Sequence, residues 1–306
     1  MPAERSSLPL VHHPVGDIEV ARRVASTARA RWGLRDEPTL VRASMNATFR
    51  CGEVAIRVGR PTEPTASHRL SKQLASLGVA VPEVIDLEPM IIDGLTVTAQ
   101  RWVTVDGGPI DWASVGRMAR VVHDHLHVDT VDDTVPIADP RRFPWWNFTA
   151  MLESLDDSPL MTAPTRRAIA EVIDAHIRWG EHIDAEPRVC HGDIHPGNVL
   201  QTIDGPVLLD WDLLCIAPIA WDHAPLIAQS FGPWQAGESL YRDFSRGYGH
   251  DLSSDPIAME FALLRDLAAT LMRVRAASSD DCQIDEARLR LHRWVDGSVP
   301  RPWSAQ

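Results

Sequence analysis

Between Cys190 and Asp212 the chain reads CHGDIHPGNVLQTIDGPVLLDWD, a run holding two histidines, one asparagine and four aspartates. Such a set of hard oxygen donors suits Mg²⁺ carrying substrate phosphates, with one carboxylate left over for base chemistry. The run also predicts its own geometry. Val199-Leu200 is a short apolar strand, Asp204-Gly205 is a two-residue turn signal, and Val207-Leu208-Leu209 is the returning strand. A hairpin of this kind holds His191-Gly192-Asp193 and Asn198 beside Asp210 and Asp212. Asp193 lies five residues before Asn198, so a base and a metal-binding amide share one loop. The asparagine then faces Asp210 across the hairpin.

The elements that must position this loop are legible on both sides of it. Ile18 to Trp32 has helical spacing and ends at Gly33. Strand-like pieces follow at Thr39–Ala43, Ala47–Cys51 and Val54–Val58, the last two joined at Gly52-Glu53. His68–Leu77 reads as a short helix closed by Gly78, and Val84–Leu87 as a strand. Asp93-Gly94 joins strands at Met90–Ile92 and Leu95–Ala99. After Asp106-Gly107-Gly108-Pro109 the pattern turns helical, at Ala113–Leu126, Phe148–Leu155, Thr165–Ile183, Ala220–Gln229, Gly237–Gly247 and Pro256–Ala277. The expectation is an α+β chain: a small β-rich lobe over residues 1–99, a connector at 100–108, and a larger, mainly helical lobe over 109–306.

His191-Gly192-Asp193-Ile194-His195-Pro196-Gly197-Asn198, followed by Leu208-Leu209-Asp210-Trp211-Asp212, resembles the catalytic loop and metal strand of the aminoglycoside phosphotransferase and choline kinase-like family. Ala220-Trp221-Asp222 matches that family's short acidic motif downstream, so the resemblance spans residues 39–280. It implies a bilobal protein kinase-like fold and a cytoplasmic kinase for small molecules, with ATP or GTP as donor and Mg²⁺ as cofactor. Carried over to this chain, Asp193 is the base or orienting carboxylate for the acceptor hydroxyl, and His191 braces the loop. Asn198 and Asp210 hold Mg²⁺ on the phosphates. Gln100, Arg101 and Trp102 form the hinge whose backbone reads the purine. Ser44-Met45-Asn46-Ala47 takes the place of the phosphate-covering loop.

Two departures from the family pattern stand out. Lys72 is the only lysine and lies in the predicted helix, so the phosphate-binding lysine of the third strand is replaced by Arg57. Arginine can clamp phosphate bidentately; the plainer reading is a surface arginine on an edge strand. The glutamate expected to pair with that lysine falls near Ser67, with Glu63 the nearest acid. Asp212 alternates to the face of Asp210 and is a candidate for metal support or a substrate amine. Asp222 and Glu260 are further substrate-side candidates. Asp222 also reads as a structural residue, an ordinary N-cap aspartate or a brace for the catalytic loop, and Glu260 and Arg265 flank the apolar stripe of the last long helix. Trp145 and Trp146 suit an acceptor-site wall or a surface anchor.

His123, Asp124, His125, His127 and Asp129 resemble a metal cluster, but helical spacing makes them a helix C-terminus with histidines favourable to its dipole. Gly192-Asp193-Ile194-His195 resembles a metallophosphoesterase element, without the partner motifs that class needs. A nucleotide-binding module without turnover is a third reading, drawn from the absent lysine and glutamate. A formal net charge of -12 disfavours nucleic acid or an anionic membrane as partner. The charge and Asp212 favour a cationic acceptor, such as an aminoglycoside or amino sugar, and leave open a resistance or a metabolic role. Four scattered cysteines fit free thiols, no stretch reaches membrane-span length, and a monomer and a homodimer are equally compatible.

Overall fold

The computed structural model describes residues 15–43, 45–59, 66–138, 147–176, 186–278 and 281–304. Helix α1 (Ile18–Arg31) begins at Asp17, whose carboxylate accepts the Glu19 N–H and so satisfies one of the free donors of the first turn. Its face Ala21, Val24, Ala25 and Ala28 is fully buried against Phe49, Ile56, Val58 and Val97. Burying each large apolar side chain there contributes roughly 1.5–3 kcal/mol. Those four partners belong to an antiparallel sheet of β1 (Thr39–Ala43), β2 (Ala47–Cys51), β3 (Val54–Gly59), β4 (Met90–Ile92) and β5 (Leu95–Arg101), in the order β1-β2-β3-β5-β4. The turns fall at Gly52-Glu53 and Asp93-Gly94, where Asp93 and Gly94 adopt φ of 49° and 73°. Two positive-φ residues match the twist of the flanking strands, which is why Asp-Gly serves there.

Two sequence expectations shift. Val84–Leu87 is not a strand: Val84 alone forms a bridge, to Gln100. Strand β5 runs on through Gln100 and Arg101, so those two residues are sheet rather than connector.

Helix α2 (Ala66–Ser76) follows in sequence but packs downward. Leu74, and Val79 just beyond the helix, lie in the core of the helical lobe. The Leu208 N–H donates to Ala80 O at 2.9 Å, so this segment is stitched to the hairpin of the other lobe.

The helical part consists of α3 (Trp112–His125), α4 (Phe148–Glu153), α5 (Ala163–Ala175), α6 (Ala220–Phe231), α7 (Glu238–Tyr248), α8 (Pro256–Ala277) and α9 (Ile284–Val295). Asp111 caps α3 and Asp255 caps α8, each accepting a backbone N–H three residues on. Helices α3 and α7 approach backbone to backbone. A Cβ on Gly247 would lie 1.9 Å from Ala113 O, so glycine is what the contact needs. Trp221 on α6 meets Phe261 on α8 edge-on at 5.2 Å, closing the largest buried pair of the core. Helix α9 was not anticipated. The segment predicted as helix to Ile183 is helical to Ala175, and its later part lies outside the described residues. No described helix is long and apolar enough to cross a membrane.

Two short ladders carry the polar stretch. Strand β6 (Arg188–Cys190) pairs with β9 (Cys215–Ala217), and β7 (Val199–Thr202) pairs with β8 (Gly205–Leu208). The hairpin loop is Ile203-Asp204, with Gly205 paired opposite Thr202. That is one residue earlier than the Asp204-Gly205 turn read from sequence.

Candidate active site

The loop from His191 to Asn198 is built by local chemistry before any long-range contact is considered. Ile194 is fully buried, which turns Asp193 and His195 to the other side. Pro196-Gly197-Asn198 forms one tight turn, in which His195 Nδ1 accepts the Gly197 N–H at 3.1 Å and His195 O accepts the Asn198 N–H at 2.9 Å. Leu209 N donates to Asn198 O at 2.9 Å, so the hairpin's exit sits beside the loop's end. Gly192 has φ +90°, and a Cβ there would lie 1.9 Å from Leu213 O. Only glycine takes both that dihedral and that approach.

Asp193 and Asn198 meet directly: Asn198 Nδ2 donates to Asp193 Oδ2 at 3.1 Å and to its backbone O at 3.0 Å. His195 Nε2 lies 3.4 Å from the same Oδ2. On the other oxygen, Arg265 Nη1 donates to Oδ1 at 2.7 Å, while its Nη2 donates to Gly192 O. Burial pushes the Asp193 carboxyl up, but the charges of His195 and Arg265 and the His195 hydrogen bond outweigh it and hold the group below the usual carboxylate range.

His191 does not face the cleft. Its Nε2 donates to Leu209 O at 2.9 Å, its Nδ1 accepts the Asp193 N–H at 3.2 Å, and its ring lies 4.4 Å from that of Trp211. One ring nitrogen donating and the other accepting defines a neutral imidazole. Burial lowers its pKa further, against the pull of Asp222 and Asp193.

Asp222 braces the loop, one of the roles its place in the sequence left open. It is not the N-cap of α6, which is Ile219, and with 0% exposure it cannot line an acceptor site. Its carboxylate accepts the His191 N–H at 2.8 Å and the Gly192 N–H at 2.7 Å. His123 Nε2 lies 3.0 Å away, and His123 Nδ1 is 2.8 Å from the Tyr248 hydroxyl. Burial raises the Asp222 pKa, and the hydrogen bond and charge of His123 more than reverse this, so the carboxylate stays ionised. His123 stands in the last turn of α3, as its spacing predicts, but points inward rather than to solvent. It lies on the same buried face of α3 as Val115, Ala119 and Val122, a signal its spacing already carried. With Cys190 and Asp222 it forms the one trio of potential metal ligands among the described residues. Those atoms already bond to the chain, so the trio is a brace beneath the loop.

Asp210 stands at the end of β8 with φ 60° and ψ 66°. This left-handed conformation, tolerated by aspartate better than by most residues, ends the strand. Asp212 therefore shares no strand face with Asp210; a turn of 3-10 helix (Trp211–Leu213) brings it back. Both carboxylates meet Arg57, at 3.1 Å for Asp210 and in a closer ion pair for Asp212. Strand β3 is flanked by β2 and β5, so the edge-strand reading of Arg57 is overturned: the residue sits mid-sheet and points into the space between the lobes. The absent helical glutamate has its counterpart in these two aspartates. Ser67 lines the same cleft, Lys72 is exposed on α2, and Glu63 lies outside the described residues. Burial and the nearby Asp210 outweigh Arg57 at Asp212 and push its pKa up to about 6.

The covering turn also reaches across. Asn46 Nδ2 donates to Asp212 Oδ2, and Arg42 Nη1 donates to Gly197 O at 3.2 Å. Gly59 leaves room for the asparagine, whose Oδ1 would lie 2.0 Å from a Cβ there. Ser44, Trp145 and Trp146 lie outside the described residues.

These groups border a cleft of about 1430 Å³ that also takes in Thr48, Ala55, Leu200, Leu209 and the run Gln100–Val105. Trp102 lines it with the Arg50 guanidinium 4.8 Å from its ring. Gln100, Arg101 and Trp102, the expected hinge, all line the cleft. The Arg101 N–H is taken by Glu83 O and the Trp102 N–H by Glu53 O, each at 2.8 Å, which leaves Val103 as the next backbone donor along the cleft wall. Glu260 is not part of this constellation: its carboxylate is 2.7 Å from His176 Nδ1, linking α8 to the end of α5.

A family model for a phosphotransferase enzyme family matches residues 46–259. That span runs from Asn46 through the catalytic loop and Asp222 into α8. The chain belongs to this family. Among solved structures, a spectinomycin phosphotransferase in complex with ADP and spectinomycin matches with a TM-score of 0.66, at 14% identity over 90% of this chain and 95% of that one. A choline/ethanolamine kinase family protein from Mesorhizobium loti matches with a TM-score of 0.61, at 16% identity over 91% and 95% of the two chains. A choline kinase from Streptococcus pneumoniae matches with a TM-score of 0.59, at 16% identity over 91% and 98%. No curated protein sequence matches. The five-stranded sheet and helical lobe are thus the kinase-like fold of the phosphotransferase family, and the phosphoesterase reading falls away.

Proposed function

We propose that this phosphotransferase moves the γ-phosphate of ATP or GTP to a hydroxyl of a small molecule, with Mg²⁺ as cofactor. The observation that carries this reading is the pairing of Arg57 with Asp210 on the wall of the interlobe cleft, next to Asn198, whose O accepts the Leu209 N–H and whose Nδ2 donates to Asp193. The donor set fits the metal. Asn198 Oδ1 is buried without a hydrogen-bond partner among the described residues, and a carbonyl oxygen beside the Asp210 carboxylate is the hard oxygen chemistry that Mg²⁺ selects. Asn198 and Asp210 would hold the ion, whose charge would neutralise the phosphates as the bond to the leaving group breaks.

The chain's own groups then have distinct tasks. The purine would lie along Gln100–Val105, with the Val103 N–H as its backbone contact. Arg57 would leave its two aspartates in part to take the inner phosphates, for which its fork suits oxygen pairs. Asn46 and Arg42 would close over them. Asp193, ionised across the neutral range, would accept the hydrogen of the alcohol and hold its oxygen in line with the phosphorus. A neighbour solved with ADP and spectinomycin and another named as a choline kinase support a nucleotide donor, and their named acceptors, spectinomycin and choline, are both hydroxylated cations. A cationic acceptor therefore stays the first to test.

The test is nucleotide consumption across aminoglycosides, amino sugars, amino alcohols and macrolides, with Asp193→Asn as the blank. At least one alcohol should stimulate ADP or GDP release, with phosphate appearing on the alcohol. Binding of MgATP with no turnover on any alcohol would support the inactive-homologue reading instead.

A further inference from the structure

Helix α8 lies outside the loop and hairpin that carry the proposed chemistry, yet it sends one side chain into them. Arg265 is 14% exposed and spans a 72-residue separation in sequence to reach the catalytic loop. Its two terminal nitrogens separate their tasks. Nη1 holds Asp193 Oδ1 at 2.7 Å, and Nη2 holds the carbonyl of the preceding residue, Gly192. A planar guanidinium that grips a carboxylate and the adjacent peptide oxygen fixes two things at once: the plane of the carboxylate and the peptide from which it projects.

The donors around Asp193 can be counted. An ionised carboxylate offers about four acceptor positions. Arg265 takes one on Oδ1 and Asn198 takes one on Oδ2, whose other side is crowded by His195 Nε2 at 3.4 Å. The less crowded position is on Oδ1, the oxygen that Arg265 holds. An alcohol hydrogen received by Asp193 therefore goes to the oxygen whose place Arg265 sets. On the other side Asp222 fixes the His191 and Gly192 N–H groups, but no bond from Asp222 reaches the Asp193 side chain. The backbone is braced from α6 and the carboxylate from α8.

We infer that Arg265 is the positioning residue of the transfer: it aims Asp193 Oδ1 at the acceptor oxygen and acts on the reaction only through that carboxylate. This rests on the reading of Asp193 under Proposed function. Substituting Arg265 with methionine keeps the length of the stem and removes the fork, leaving the carboxylate to rotate on its contacts at Oδ2.

The experiment measures ADP release from MgATP with water as acceptor, which needs no knowledge of the alcohol. It uses the full chain as parent, Arg265→Met, Arg265→Lys, Asp193→Asn and the Arg265→Met/Asp193→Asn double variant. Arg265→Met should lose on the order of 10²-fold in kcat, the cost of a misplaced reacting group, with the KM for MgATP within about twofold of the parent. Arg265→Lys should recover part of that loss, since lysine restores one charged contact but not the fork. The double variant should be no slower than Asp193→Asn alone, within about twofold, because a residue acting through Asp193 has nothing left to position. Arg265→Met at the parental rate, or losses that multiply in the double variant, would overturn the inference. A purely structural role would give multiplying losses and a lowered melting temperature in both Arg265 variants. Asp193→Asn at the parental rate would instead sink the reading of Asp193 itself, so the two failures are told apart. Should Arg265→Met not fold, the comparison of Arg265→Lys with its own Asp193→Asn double variant decides by the same rule.

Discussion

Two sets of polar contacts hold the loop and hairpin around Asp193 from opposite sides, and they are built on opposite terms. Beneath the loop, Asp222, His123 and His191 are essentially out of water, and each bond is made to another element of the same lobe. Above it, Arg57, Asn46 and Arg42 reach from the sheet across the cleft to Asp210, Asp212 and Gly197. The lower set is a closed network in which each lost partner leaves a buried group stranded, and that is costly. The upper set consists of partly solvated pairs whose partners water, phosphate or a metal can replace at little cost. In the proposed function the lower contacts hold the backbone of the loop that carries Asp193, and the upper ones are stand-ins for a donor, open to exchange.

That contrast can be broken or sharpened by substitution. The largest effect belongs to Asp193→Asn, which should lower turnover on the order of 10²- to 10⁴-fold while leaving the melting temperature near the parent's; retained activity would remove the loop from the chemistry. Next comes Asp222→Ala, expected to cost about 3–5 kcal/mol of folding stability, since it strands two buried N–H groups and His123. Denaturant melts measure this, and a loss below ~1 kcal/mol would mean that the lower network is no more committed than the upper.

Arg57→Ala should raise the KM for nucleotide about 10- to 100-fold, the weight of one charge-assisted contact, with little loss of stability. Its present partners are themselves solvated on one side. Arg57→Lys should recover much of the affinity. A large drop in melting temperature would show Arg57 to be a strut rather than a stand-in.

A pH titration separates the regions more finely. The His223 ring, wholly buried beside Tyr241, Phe244 and Tyr248, has its pKa pushed down from 6.5 to about 3, by burial first and then by the charge of His123. The unfolded chain takes up this proton near pH 6.5 and the folded one does not. The contribution is therefore full above 6.5 and is lost as the pH falls towards 3. Thermal melts between those values should show stability falling with acid, and a shallower fall in His223→Gln, which keeps an acceptor for the Tyr241 hydroxyl. The smallest effect is expected from Arg42→Ala. Its exposed bond to Gly197 O is worth under about 1 kcal/mol, so nucleotide KM should move less than about fivefold.

How much of this was legible in the sequence follows the same division. The loop and hairpin could be read because their information is local: a glycine at a positive φ, a proline turn, and apolar strands that bring Asn198 beside Asp210. The sheet could be read because Gly52-Glu53 and Asp93-Gly94 mark its turns. Arg265 could only be suspected, since nothing local distinguishes a helix arginine that reaches a loop 72 residues away from one in solvent. Asp222 could be read as a brace of the loop but not told from a cap: an aspartate in a first helical turn looks like one, and the loop it holds lies about 30 residues upstream. The turn after Asp210 was hidden by the apolar run before it, which predicts a strand continuing through Asp212. Helix α9 was missed although Ala287, Leu291 and the flanking residues carry the right spacing, because its charges dilute the apolar stripe.

Helix α2 carries a mechanical consequence. By sequence it belongs to the sheet's lobe, yet its apolar side is sunk in the other, and Ala80 is bonded to the β7–β8 hairpin. Any tilt of the sheet against the helices would leave α2 with the helices, and the chain leaving α2 ties the two together where Glu83 O accepts the Arg101 N–H and Val84 bridges Gln100. Arg42, on β1 at the opposite edge of the sheet, is held by the loop carbonyl of Gly197 alone among these ties, so that edge is the one a tilt would free with the fewest bonds broken.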